Sequence, residues 1–303
     1  MKLRNTQILV VFLILLIALL VGRYLKNERS KGNMITSFFS FDSEDVIAFR
    51  ILPAFNEDQL LQIVKEDNKW HLVLPDGNIC DINQEHFERA FSEFEKLRPS
   101  RLVTEDEKLF NQYMVDSTGT LLEIVTPDNK KHQIILGDLT FQNDVYVNTY
   151  VRLPGDNAVY AAAAYMEGTF KSLTDLWRSR EIVSIPQGLW TEVEMTGMQG
   201  KKMLLIKEEE EWKTQGKHGF DIPLDEVLRQ IDELKELPFA PNYLTPEFKN
   251  PEWRIRIKAV EAGEIFLSFY LLNEVIYLGS SINTGNYFIV DESRLQLLFD
   301  YLQ

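Results

Sequence analysis

The chain has 303 residues, 45% hydrophobic and 12% aromatic, which suits one large or two ordinary packed domains and does not suit a disordered chain. Its formal charge of −14 is uneven: positions 1–31 hold six basic residues and one acid, while the remainder holds 26 basic and 45 acidic residues. So acidic a body repels polyphosphate and lacks a basic stripe, which argues against nucleic acid as a partner; the single cysteine, Cys80, rules out an intramolecular disulfide and argues against a Cys-based zinc site.

Ile8–Val21 is an uninterrupted run of fourteen apolar residues. As a helix it spans about 21 Å, and the flank through residue 25, with Arg23 snorkelling, extends it to about 27 Å. A cleaved signal peptide would need a small-x-small site, and a lipoprotein signal a cysteine just after the run. Neither is present. The run is apolar on every face, which argues against a buried soluble helix. An uncleaved single-pass anchor through residues 8–25 is therefore expected, with the lipid bilayer as its partner. Basic residues are more numerous after the segment than before it, which alone favours a cytoplasmic body. The short N-terminal tail ahead of an apolar run has the ordinary form of an export signal, and a periplasmic or otherwise extracytoplasmic body is the favoured reading.

Beyond the anchor, Asp45–Leu52 alternates as a strand. Residues 59–65 and 69–74 read as a hairpin around a polar turn, with Trp70 just after it. A helix is expected over 83–97. Phe87, Ala90, Phe91, Phe94 and Leu97 form its stripe and Asn83 its N-cap. Two more hairpins follow, 120–126 with 132–136 and 144–153 with 157–161, and then a helix over 162–176.

The pattern then recurs. Residues 190–195 echo the first strand, and 202–214 echo the first hairpin with Trp212 in the place of Trp70, 142 positions later. A helix over 223–237 carries Val227, Leu228, Ile231, Leu234 and Leu237. Residues 253–259 and 264–272 echo the next hairpin, Asn273–Tyr277 echoes Asn143–Val147, and 286–290 with a helix over 291–302 closes the copy. The expected fold is α+β: an anchor and linker (1–31), then two tandem repeats of antiparallel sheet plus helices (32–181 and 182–303), each β-β-β-α-β-β-β-β-α. Chance recurrence of strands and amphipathic helices is the bland alternative.

Several short stretches resemble a known family. They are Asp45–Ile51, Lys69-Trp70, Tyr113-Met114-Val115-Asp116, Ile135-Leu136-Gly137 and Asp175-Leu176-Trp177-Arg178-Ser179-Arg180. Together with the basic, apolar N-terminus they look like the bacterial domain of unknown function DUF4340. That family usually has a glycine where Met114 stands. The resemblance implies a protein of the bacterial inner membrane, encoded beside an uncharacterised ABC-type export system of the kind associated with gliding motility. It brings no catalytic residues.

Chemistry is sparse. His71, His86, His132 and His218 lie far apart, and no metal, phosphate-loop, dinucleotide or nucleophile-elbow motif occurs. Cys80 lies just before a helix that carries His86, but it reads first as a small buried residue. Glu208–Glu211 reads as a solvated turn rather than a calcium loop. The five tryptophans read as core packing before a sugar-stacking surface. No catalytic, cofactor-binding or metal residue is assigned. The expected function is a non-enzymatic, membrane-anchored binding or assembly partner, of an ABC-type transporter or of other envelope proteins. An extracytoplasmic hydrolase and a sugar- or peptide-binding module are the alternatives.

Overall fold

The computed structural model describes residues 15–18, 21, 35–142, 146–170, 173–215, 223–235, 237–241, 250–260 and 263–295. Of the expected anchor, only 15–18 and 21 fall within these, and they are helical. No described helix is long and apolar enough to cross a membrane. The echo at Asn143–Val145, His218 and most of the last expected helix lie outside the described residues.

The chain divides into two compact units, 1–59 with 89–171, and 60–88 with 172–303. Both are mixed α+β with antiparallel sheets. In the first, strands β1 (Ala48–Pro53), β6 (Thr120–Val125), β7 (Lys131–Gln142), β8 (Tyr146–Arg152), β9 (Val159–Ala162) and β5 (Pro99–Thr104) follow one another in that spatial order. The second contains the hairpin β2 (Leu61–Glu66) and β3 (Lys69–Val73) with the short β4 (Ile79–Asp81). It also holds a seven-stranded sheet in the order β12-β11-β10-β13-β14-β15-β16. Those strands are β10 (Trp190–Thr196), β11 (Lys202–Glu208), β12 (Glu211–Gln215), β13 (Trp253–Ala259), β14 (Gly263–Leu272), β15 (Val275–Ser280) and β16 (Asn283–Val290).

The repeat-like layout is visible in strand order and register. The order β1-β6-β7-β8-β9 matches β10-β13-β14-β15-β16. The hairpin β2-β3 pairs Lys65 with Trp70, and β11-β12 pairs Lys207 with Trp212. Both turns put two residues at positive φ, Asp67-Asn68 and Glu209-Glu210. That is the backbone of the two-residue turn whose twist suits a hairpin. Each hairpin is followed by an amphipathic helix, α1 (Gln84–Glu95) or α4 (Leu224–Asp232). Asn83 caps α1 as expected, its Oδ1 accepting the His86 N–H at 3.1 Å. On α4, Val227, Leu228 and Ile231 cover the inner sheet face, where Val193, Leu205, Ile255, Leu267 and Phe288 are buried. The strand alternation puts Glu192, Glu194 and Arg256 on the opposite face, and there they form an ion-pair cluster.

The expected helix over 162–176 is corrected. It is two short turns, α2 (Met166–Thr169) and α3 (Thr174–Trp177). Helix propensity in the alanines at 161–164 is overridden at its start, because β9 is fully buried and hydrogen-bonded on both sides, to β5 and β8. A side chain at Gly168 would collide with the Tyr165 ring. The described start of the last expected helix is a 3-10 turn, Glu292–Leu295. The short strands β4 and β5 were not legible, having three residues and an opening proline.

In the first unit, Tyr113 and Met114 turn back against a bulge in β7. A Cβ on Gly137 would stand 2.1 Å from the Tyr113 carbonyl oxygen and 2.7 Å from Val115 Cγ1. Met114 is 42% exposed and left-handed, at φ 53°. Gly137→Ala is expected to destabilise by about 3 kcal/mol, because the obstruction is backbone and cannot move aside. Met114→Gly is expected to stabilise by about 0.5 kcal/mol, the relief of left-handed strain exceeding the added unfolded-state entropy. Denaturant unfolding of the two variants checks both signs.

Candidate functional site

Residues Asp175–Arg180 run through the centre of the second unit. Trp177 is fully buried and meets the His86 ring edge-on, with centroids 4.4 Å apart. Its carbonyl accepts the Asn83 N–H at 2.7 Å. Arg178, only 2% exposed, donates from Nε to Asn286 Oδ1 at 2.9 Å and from Nη1 to the Ala240 carbonyl and Asp175 Oδ1. Its guanidinium lies 3.9 Å from the centre of the Phe239 ring, and Phe239 stacks on Phe288 at 5.1 Å. Burial lowers the Arg178 pKa from its ordinary value, yet a guanidinium stays charged in a protein. The pairing groups are what make this charge tolerable.

The same network fixes β4. The Asp81 carbonyl accepts the Ser179 N–H and the Asn286 side-chain amide, and its Oδ2 accepts the Thr284 N–H at 2.6 Å. Asn283 donates to the Ser179 and Glu181 carbonyls. Gly285, at φ 74°, allows β16 to approach, since a Cβ there would be 2.2 Å from the Ile79 carbonyl oxygen. Cys80 is sealed beneath this crossing at 1% exposure. Burial pushes its thiol from 9.0 up to about 12, overriding the opposing pull of Arg178. A thiol so shifted is not a nucleophile near neutral pH.

Above the network lies a groove of about 390 Å³, lined by Trp70, His71, Asp81, Gln84, Ser179 and Glu181 among others. His71 Nδ1 is 3.7 Å from Asp81 Oδ1. The Trp70 ring is half-buried and packs on Phe87 of α1, with centroids 4.7 Å apart. Lys65 stands 5.8 Å from its centre. A larger hollow of about 630 Å³ in the first unit is walled by one segment, Ser37–Glu44, with Phe94, Glu95 and Arg98. It holds no facing pair of the His71–Asp81 kind.

The remaining sequence candidates are dispersed. His132 packs against the Phe39 and Phe41 rings. Trp177, Trp190 and Trp253 are buried, and Trp190 Nε1 donates to the Ile185 carbonyl. Trp212 borders the core of its sheet, so of the five tryptophans only Trp70 lines the groove. Glu208–Glu211 straddle the second hairpin turn, where Glu210 pairs with Lys207 and Glu208 with Lys213. Among the described residues no group of three or more His, Cys, Asp or Glu could hold a metal ion. Buried Glu123 is neutralised in place: burial alone would raise its pKa, but hydrogen bonds from Arg50, Lys131 and Gln133 hold it below the usual range.

The family model for a domain of unknown function, DUF4340, matches residues 73–252, more than half of the chain. The chain belongs to that family. No curated protein and no solved structure matches it. The DUF4340 match takes in β4, α1 and the whole Asp175–Arg180 segment, together with the Tyr113–Asp116 and Ile135–Gly137 stretches. The other two stretches of resemblance, Asp45–Ile51 and Lys69-Trp70, precede it.

Arg178→Ala is expected to cost about 3–5 kcal/mol, since Asn286 Oδ1 and the Ala240 carbonyl lose their donor inside the core. Arg178→Lys is expected to recover only part of this, because an ammonium cannot both fork its bonds and stack. Thermal unfolding reads both variants. Cys80 is expected to resist thiol reagents at pH 8 in the folded protein and to react on unfolding. Its folded-state pKa lies above the unfolded one, so its stability contribution is complete below about pH 9 and is lost as pH rises toward about 12. Cys80→Ala, scanned for stability over that range, should flatten the alkaline fall.

Proposed function

We propose that this DUF4340 protein is a non-enzymatic, single-pass protein of the bacterial inner membrane. Its body lies outside the cytoplasm, and it acts as a binding or assembly partner of an ABC-type transport system. The apolar run 8–21 with its basic flanks supports the anchor. The observation that carries the accessory role is the use the body makes of its reactive groups. Cys80 is sealed and protonated, Arg178 is bound to the Ala240 carbonyl and to Asn286 Oδ1, and Glu123 is held by three donors. Glu194 is likewise kept below its ordinary value, first by its hydrogen bond from Lys202. Downward shifts are the opposite of what a general acid for hydrolysis needs. Groups fixed in this way serve a rigid surface better than a reaction centre.

Crosslinking in native membranes, followed by purification of the full chain, is expected to recover a membrane-spanning or ATPase subunit of a transporter. Recovery no greater than with an unrelated single-pass protein would overturn the assignment. A phosphatase fused after Gln303 should be active, whereas activity of a reporter that works only in the cytoplasm would reverse the orientation.

A further inference from the structure

We infer that the groove beside Trp70 is a binding site for a neutral saccharide. The inference does not depend on the transport reading, and either can fail while the other stands.

The first argument comes from the comparison of the two hairpins. They share turn geometry and register, with Lys65 opposite Trp70 and Lys207 opposite Trp212. The first is extended by a third strand, β4, which sets Asp81 opposite His71. In the second hairpin Lys213 takes the position of His71, and Trp212 rests on the core. The His71–Asp81 pair at the groove is therefore not reproduced by the residue at the matching position of the second hairpin. Its volume of about 390 Å³ falls in the range of small-molecule sites, roughly 300–1,000 Å³.

The second argument is charge. Asp81 is already engaged by the Thr284 N–H and faces His71. The other charged groups that line the groove, Lys69 and Glu181, are of opposite sign, so the lining forms no cluster of one charge that would select an anion or a cation. Hydroxyl groups find partners there. Ser179 Oγ accepts the Glu181 N–H, so its own O–H is left to donate. Gln84 donates its amide to Glu88, so its carbonyl oxygen is left to accept.

The third argument is the platform. Trp70 is held by Phe87 on α1, so its ring is fixed in place where it borders the groove. A rigid indole with an apolar face and a polar rim suits a ligand that has C–H faces and hydroxyl edges. A saccharide of two or three rings matches that description.

The test uses the full chain in a polyoxyethylene detergent, which carries no sugar headgroup. Cellotriose, maltotriose and N,N′,N″-triacetylchitotriose are titrated by calorimetry, with ligand-observed NMR as a second readout. At least one is expected to bind saturably. Trp70→Ala should weaken that ligand about tenfold, the value of one stacking contact. Ser179→Ala and Gln84→Ala should each weaken it severalfold, and Trp212→Ala should leave affinity unchanged. Circular dichroism confirms folding, and if Trp70→Ala unfolds, the Ser179 and Gln84 variants carry the test. Absence of binding by all three sugars at about 10 mM overturns the inference. So does unchanged affinity in the groove variants, or saturable binding of tetramethylammonium with the sugars inert.

Discussion

The second unit depends on one buried cation. Arg178 is taken out of water and then given three acceptors and an aromatic face. Removing a guanidinium from water costs several kcal/mol, so its partners must be held in place. That requirement propagates outward. Asn286 is on β16 and its amide reaches Asp81 and Asn283; the Ala240 segment runs along the β16 edge, with the Ala240 N–H on Tyr287 and the Ile289 N–H on Pro238. The edge of the sheet is covered by the same residues that satisfy the charge, which also removes it as a template for pairing with another chain.

Two similar hairpins have different surroundings in this chain. The backbone of each is set by its two-residue turn and by alternation, and both place a tryptophan opposite a lysine. What differs is the neighbour. Around Trp70, β4 and the Ser179–Glu181 segment supply polar side chains. Among the described residues, the neighbour of Trp212 is the packed core.

Legibility followed periodicity. The two amphipathic helices, the strand series and the Asn83 cap could be read because burial on one face imposes a repeat on the sequence. The alanines at 161–164 misled, because their helix propensity is small beside the pairing of β9 on both sides. β4 and β5 escaped because a three-residue strand shows no period, and because a proline at the head of a strand looks like a boundary. The Arg178 network escaped for another reason. Its members come from residues 81, 178, 240 and 286, and nothing in their sequence spacing marks them as partners.

The sequence by itself determined the apolar N-terminal segment, the α+β class, the repeated hairpin–helix order, the placement of Trp70 and Trp212 just after their turns, and the likeness to DUF4340. These are local properties, written in composition, alternation and turn residues. Only the tertiary structure decided that Cys80 is sealed, that Arg178 is enclosed, and that His71 faces Asp81 at the edge of a groove. Those outcomes depend on which distant backbones cross and how closely. Gly285 against Ile79 shows the physical reason: a missing Cβ lets two strands approach across two hundred residues of chain, and chemistry gathers where they meet.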